Sequence, residues 1–157
     1  MTPVLSTFRS LLLGLSLLCA ATTAAQTKSA YDPKLADSLG GEPNGMKQYV
    51  LVILKTGPTV ENDKAKRDSL FKGHFANMER MVAQGKLLVA GPIQKNERQY
   101  RGIFILNVKT IAEAEALVAN DSAVSSGVLA PEYYLWYGSA ALPMYLPYAD
   151  KVTKPKN

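Results

Sequence analysis

The chain has 157 residues, room for one domain and too few for two comfortable ones. Apolar residues make up 47% and charged residues 20%, a globular balance that argues against a disordered chain. One cysteine and one histidine exclude an internal disulfide, a cysteine zinc site and a multi-histidine metal site. The net charge of +5 comes from scattered basic residues mixed with acids, as in residues 61–68, so no nucleic-acid partner is expected.

Residues 2–18 place one cation, Arg9, ahead of an apolar run at 11–18, and small residues follow from Ala20 to Ala25. This is the layout of a signal peptide over residues 1–25, with cleavage expected after Ala25. The apolar core is shorter than the ~20 residues that cross a bilayer, which weighs against a membrane anchor. Leu18 stands before Cys19, where a lipoprotein signal wants a small residue, which weighs against lipidation. Cleavage removes Arg9 and Cys19. The expectation is a secreted or periplasmic, cysteine-free domain with no stable membrane insertion, held by core packing.

Residues 26–45 are polar and hold Pro33, Gly40, Gly41, Pro43 and Gly45, so they read as a linker or N-terminal arm. The domain is expected over 46–138. Residues 47–55 form an aliphatic run between charges and predict a strand. Residues 56–67 read as a loop. Apolar residues at 70, 71, 75, 78, 81 and 82 predict a helix over 68–84, with Asp68 at its start and Gly85 just past its end. A strand follows at 87–93, a polar connection at 94–101 and a strand at 102–108. Residues 110–120 predict a second helix, with Thr110 and Glu113 spaced as a capping box. A turn at 121–127, a strand at 128–137 and a tail from 138 complete the chain, with no internal repeat.

The order β-α-β-β-α-β predicts an α+β, ferredoxin-like plan with a four-stranded antiparallel sheet and two helices on one face. Strands one and three should be central. Pro92 and Pro131 fall in the expected edge strands, where proline is tolerated. Strands one, three and four are apolar on both faces. Two helices cover one face only, so the other needs a cover. A second copy, giving a homodimer, is the simplest. The chain's own tail, through Leu142, Met144, Tyr145, Leu146 and Tyr148, is the competitor.

His74 shares the first helix with Phe71, Met78 and Met81 at spacings of three to seven residues. It fits a core histidine with a satisfied hydrogen bond. The topology also brings it to the same rim as Asp121, at the end of the second helix, and as the loops at 56–67 and 91–101. A carboxylate beside an imidazole fixes its tautomer, as a general acid or base requires. Asp121 fits a simple turn as well. Gly91-Pro92 fits a strand terminator, and Tyr133, Tyr134 and Trp136 fit sheet packing. No nucleophile-elbow motif supports serine catalysis.

Residues 46–138 resemble the YCII-related domain, of the dimeric α/β-barrel superfamily. The resemblance lies in the strand at 49–54, in His74 within LFKGHFANMERMVAQGKLLVAGP, in Gly91-Pro92 and in Asp121 after the EAEALVAND helix. It implies a ferredoxin-like subunit, a homodimer and a catalytic pair that maps onto His74 and Asp121. The family often follows its aspartate with proline, whereas Ser122 stands here. Lyase or isomerase chemistry on a small ring, dehydrochlorination of a hydroxylated ring included, is the reaction type it implies, with no cofactor or metal. A non-catalytic binding or accessory module for an unknown small molecule is the alternative. Haem binding, which related barrel families use, has only His74 to offer as a ligand.

Overall fold

In the computed structural model, which describes residues 30–154, the first element is a short helix, α1 (Pro33–Leu39). The expected signal peptide lies outside the described residues. Asp32 caps α1 by accepting from Leu35 N at 3.1 Å, Pro33 presets the first turn, and Gly40 ends it at φ 68. Lys47 Nζ donates to the Leu39 carbonyl, and Ala140 N donates to the Gly45 carbonyl. The segment expected as a linker or arm therefore holds a helix, and bonds tie it down at Leu39 and at Gly45. No residue of α1 is buried, so hydrophobic periodicity gives no sign of it.

The remaining elements are β1 (Met46–Thr56), α2 (Lys64–Ala83), β2 (Leu87–Pro92), β3 (Tyr100–Leu106), α3 (Ile111–Val118), α4 (Ser122–Ser125) and β4 (Leu129–Ser139). The sheet is antiparallel in the order β2-β3-β1-β4, the ferredoxin-like arrangement, with both prolines on edge strands. Helix α2 starts four residues earlier than the apolar spacing predicts. Asp63, not Asp68, is its cap, accepting from Ala65 N at 2.8 Å and Lys66 N at 3.1 Å. Asp68 instead pairs with Lys64 one turn back. At the other end Gly85 takes φ 64 while Gly85 N and Lys86 N bond back to Val82 and Met81. That is a Schellman closure, which favours glycine. The capping box of α3 forms as the spacing predicts, with Thr110 Oγ1 accepting from Glu113 N and Glu113 accepting from Thr110 N.

One face of the sheet meets the helices. Val50, Val52 and Leu54 of β1 pack there with Phe104, Leu106, Met81 and Val118, all buried. Each such side chain contributes roughly 1.5–3 kcal/mol on leaving water. On the opposite face Leu51, Ile53, Ile103, Ile105 and Trp136 are half-buried and Tyr134 is exposed. The tail follows β4. It forms a 3₁₀ turn (Leu142–Tyr145), a single helical turn α5 (Leu146–Ala149) and a last 3₁₀ turn (Asp150–Val152). The Tyr145 hydroxyl donates to the Leu88 carbonyl, and Tyr49, wholly buried, donates to the Ser139 carbonyl at 2.8 Å. Met144 and Tyr148 of the tail are exposed, so these two of the five expected covering residues are not buried against the sheet.

Candidate active site

His74 sits in the middle of α2 and Asp121 directly before α4, and the fold brings them together. His74 Nδ1 lies 2.5 Å from Asp121 Oδ2. Both side chains are buried, Asp121 completely. The aspartate divides its oxygens: Oδ1 accepts from Ala123 N at 2.9 Å and Val124 N at 3.3 Å, while Oδ2 faces the imidazole. An ionised carboxylate only accepts, so this contact favours a hydrogen on Nδ1, and in the neutral form of the ring that tautomer keeps a lone pair on Nε2.

The expected turn at 121–127 is therefore a capped helical turn, and the cap is the same residue that orients the histidine. Ser122 occupies the first position of α4, which suits proline and serine alike, so the departure from the family pattern leaves the cap intact. Gly73 supplies the room. A Cβ there would lie 2.1 Å from Ser122 Oγ.

His74 borders a cavity of about 350 Å³ between α2 and the β2–β3 part of the sheet. Aromatic rings surround the imidazole: Phe75 edge-on at 5.3 Å, Phe71 edge-on at 5.9 Å and Phe104 stacked at 5.9 Å between centroids. Gly91 and Pro92 line the same cavity, so they border the site as well as ending β2. Arg101 lines it where it meets solvent. No described side chain bonds Nε2, and no buried side-chain nitrogen or oxygen among the described residues lacks a partner, so Nε2 reaches accessible space. This volume falls in the range that holds a small organic ligand, about 300–1,000 Å³.

Several expected neighbours take other places. Met81 belongs to the closed core, not the cavity. The loop between β1 and α2 contributes no lining residue, whereas Arg101, near the start of β3, does. Tyr133 packs against the core, where burial, with the charges of Glu115 and Asp121, pushes its phenol up to about 12. Trp136 tilts against Tyr49 on the opposite face at 5.6 Å. Phe75 and Phe104 are the site neighbours that sequence reasoning missed, while Arg101 ends the 91–101 stretch expected at the rim without being singled out there. Strand alternation places Phe104 on the helix side; nothing comparable places Arg101. Among the described residues no three His, Cys, Asp or Glu side chains gather as a metal site would.

The arrangement supplies an oriented imidazole, one accessible ring nitrogen and a mostly apolar chamber. No curated protein matches the chain. The solved structure of 5-chloro-2-hydroxyhydroquinone dehydrochlorinase from Burkholderia phenoliruptrix AC1100, in complex with 2,5-dihydroxybenzoquinone, is similar at 19% identity and TM-score 0.41. That similarity covers 55% of this chain and 92% of the other. The YCII-related domain matches residues 48–135, more than half of the sequence, and the chain belongs to that family.

Proposed function

We propose that this chain is an exported enzyme of lyase or isomerase type, using His74 as general acid and base on a small, ring-sized organic substrate. The observation that carries this is the 2.5 Å bond from His74 Nδ1 to Asp121 Oδ2, which leaves Nε2 for the cavity. A neutral imidazole can take a proton from a bound substrate and return it to a neighbouring atom or to a leaving group. The carboxylate holds the ring in the tautomer that does this and stabilises the imidazolium formed midway. The mostly apolar lining lowers the local polarity around the ring and so strengthens the charge interactions of that step. Proton transfer of this kind needs no cofactor.

A second copy, covering Leu51, Ile53, Ile103, Ile105 and Tyr134, is part of the same proposal. So is export, for which the layout of residues 1–25 is the support.

The test is a screen of small cyclic acids and phenols with the cleaved form, residues 26–157, followed by mass spectrometry. A product made by the native chain and absent with a folded His74→Ala variant supports the proposal. Unchanged turnover in that variant overturns it. The competing reading is a non-catalytic binding module, and one observation favours it: Asp121 has structural work in capping α4. That reading expects His74 replacements to lower stability more than they change ligand binding.

A further inference from the structure

Among the described residues that line the cavity, Arg101 and His74 have the only polar side chains. On β3, residues 102, 104 and 106 face the helices while 103 and 105 face away. Strict alternation would send Arg101 to the far side. The register slips at this point: Leu54 pairs with Gly102, but Lys55 pairs with Tyr100, so Arg101 is the extra residue of a bulge. Arg101 borders the cavity, as do its neighbours Gly102 and Ile103.

The hairpin carrying Arg101 is held at several points. Gln99 takes φ 57, the only positive φ outside glycine among the described residues. Its carbonyl accepts from Thr56 N at 3.0 Å. Asn96 bonds both the carbonyl and the N–H of Tyr100, at 2.9 and 3.2 Å. Ile93 N donates to the Arg101 carbonyl at 2.9 Å. A strained, braced turn beside a bulge is a known way to aim a side chain at a ligand. Among the described residues no carboxylate lies within ion-pair distance of Arg101.

We infer that Arg101 anchors an anionic oxygen of the ligand, so that the cavity takes a flat ring bearing a carboxylate or a phenolate. A planar guanidinium matches such oxygens with paired N–H bonds, and the phenylalanines match the ring. The inference rests on the proposed use of this cavity as the substrate site and names its substrate class.

The probes are benzoate, 4-nitrophenolate at about pH 8 and neutral benzamide, titrated into the cleaved chain by calorimetry and by NMR of the His74 ring. Replacement Arg101→Gln should weaken both anions by roughly tenfold to a hundredfold, the range of a charged hydrogen bond, and leave benzamide unchanged. Arg101→Lys should keep part of the affinity. Arg98→Gln removes the same charge from the same hairpin and should change nothing. Weakening of only one anion assigns the carboxylate or the phenolate as the partner. Equal losses in the two glutamine variants, no preference for anions over benzamide, or no binding of any probe would overturn the anchor. Arg101-dependent binding that leaves the His74 signals unmoved supports the anchor while removing the proposed acid–base role. Binding that moves the His74 signals but ignores Arg101 does the reverse.

Discussion

Gly73 and Ser122 approach so closely that a Cβ on the glycine would sit 2.1 Å from the serine Oγ and 2.8 Å from its Cβ. Ser122 follows Asp121 directly, so this approach sets how near the aspartate comes to His74. In Gly73→Ala the hydroxyl can rotate away but the serine Cβ cannot. Overpacking should cost about 1–3 kcal/mol. The helix gains up to about 1 kcal/mol from losing a glycine, which offsets part of that. The net expectation is a modest loss of stability, together with a longer His74–Asp121 contact. Ser122→Gly added to Gly73→Ala should restore much of both. Chemical denaturation of the three variants decides it; a single Gly73→Ala variant as stable as the native chain would remove the steric argument.

Asp121 joins two functions that separate under substitution. Asp121→Ala loses the cap of α4, worth about 0.5–2 kcal/mol, and also strands a buried imidazole. An unpartnered buried polar group adds about 1–3 kcal/mol. Asp121→Asn retains one carbonyl oxygen, so it can keep the cap or the imidazole bond but not both with a charge. It should fall between the native chain and the alanine variant in stability. Nitrogen-15 NMR of His74 should show hydrogen on Nδ1 in the native chain and a mixture of tautomers in Asp121→Ala. An unchanged tautomer in that variant would mean that the aspartate does not orient the ring.

The sequence makes the sheet, both main helices and the closeness of His74 to Asp121 legible because each rests on local periodicity or on element order. The four extra residues of α2 escape it because its first turn, Lys64 to Arg67, is exposed and carries no apolar spacing. Helix α1 escapes it for the same reason, being built by Asp32, Pro33 and Gly40 rather than by burial. Arg101 is hidden differently. A bulge breaks the alternation that a strand reading depends on, and bulges leave no periodic trace. The Tyr145 bond to Leu88 spans 57 positions, and no local pattern reports such a contact.

Glu113 gives a pH test of the α3 cap. The Thr110 hydroxyl first, then the N–H groups of Lys109 and Thr110, hold its carboxyl below the ordinary 4.5. A depressed carboxylate stabilises the fold fully above its unfolded value and loses that contribution as pH falls through the folded one. The Tm gap between the native chain and Glu113→Gln should therefore be present at pH 7 and shrink below about pH 4. A gap that stays constant across that window would show that the charge contributes nothing to the cap.

Tyr133 offers the alkaline counterpart. Burial comes first, then the charges of Glu115 and Asp121, and together they lift its phenol from 10.0 to about 12. Raised values act in the opposite sense to Glu113. The stability they represent is complete below pH 10 and disappears as pH rises through the folded value. Absorbance titration should show a late phenolate step that Tyr133→Phe removes. Asp121→Asn should move that step slightly downward, since it deletes the smallest of the three causes. A Tyr133→Phe titration identical to that of the native chain would place the late step on another tyrosine.

The half-buried sheet face leads to the last prediction. Leu51 and Ile105 are direct partners across β1 and β3, and both lie on the side away from the helices. The tail's bond to Leu88 reaches the β2 side and leaves Tyr134 of β4 47% exposed. An apolar patch at the centre of a sheet, with one edge shielded, fits a second sheet better than water. Light scattering on the cleaved chain should give a dimer mass. Ile105→Glu places a charge where the two sheets would meet, and burying it unpaired is costly. That variant should shift the mass to monomer while its far-ultraviolet spectrum stays native. Val82→Glu, on the exposed flank of α2, should leave the mass unchanged. If the native chain is monomeric across the accessible concentration range, the second copy is not the cover.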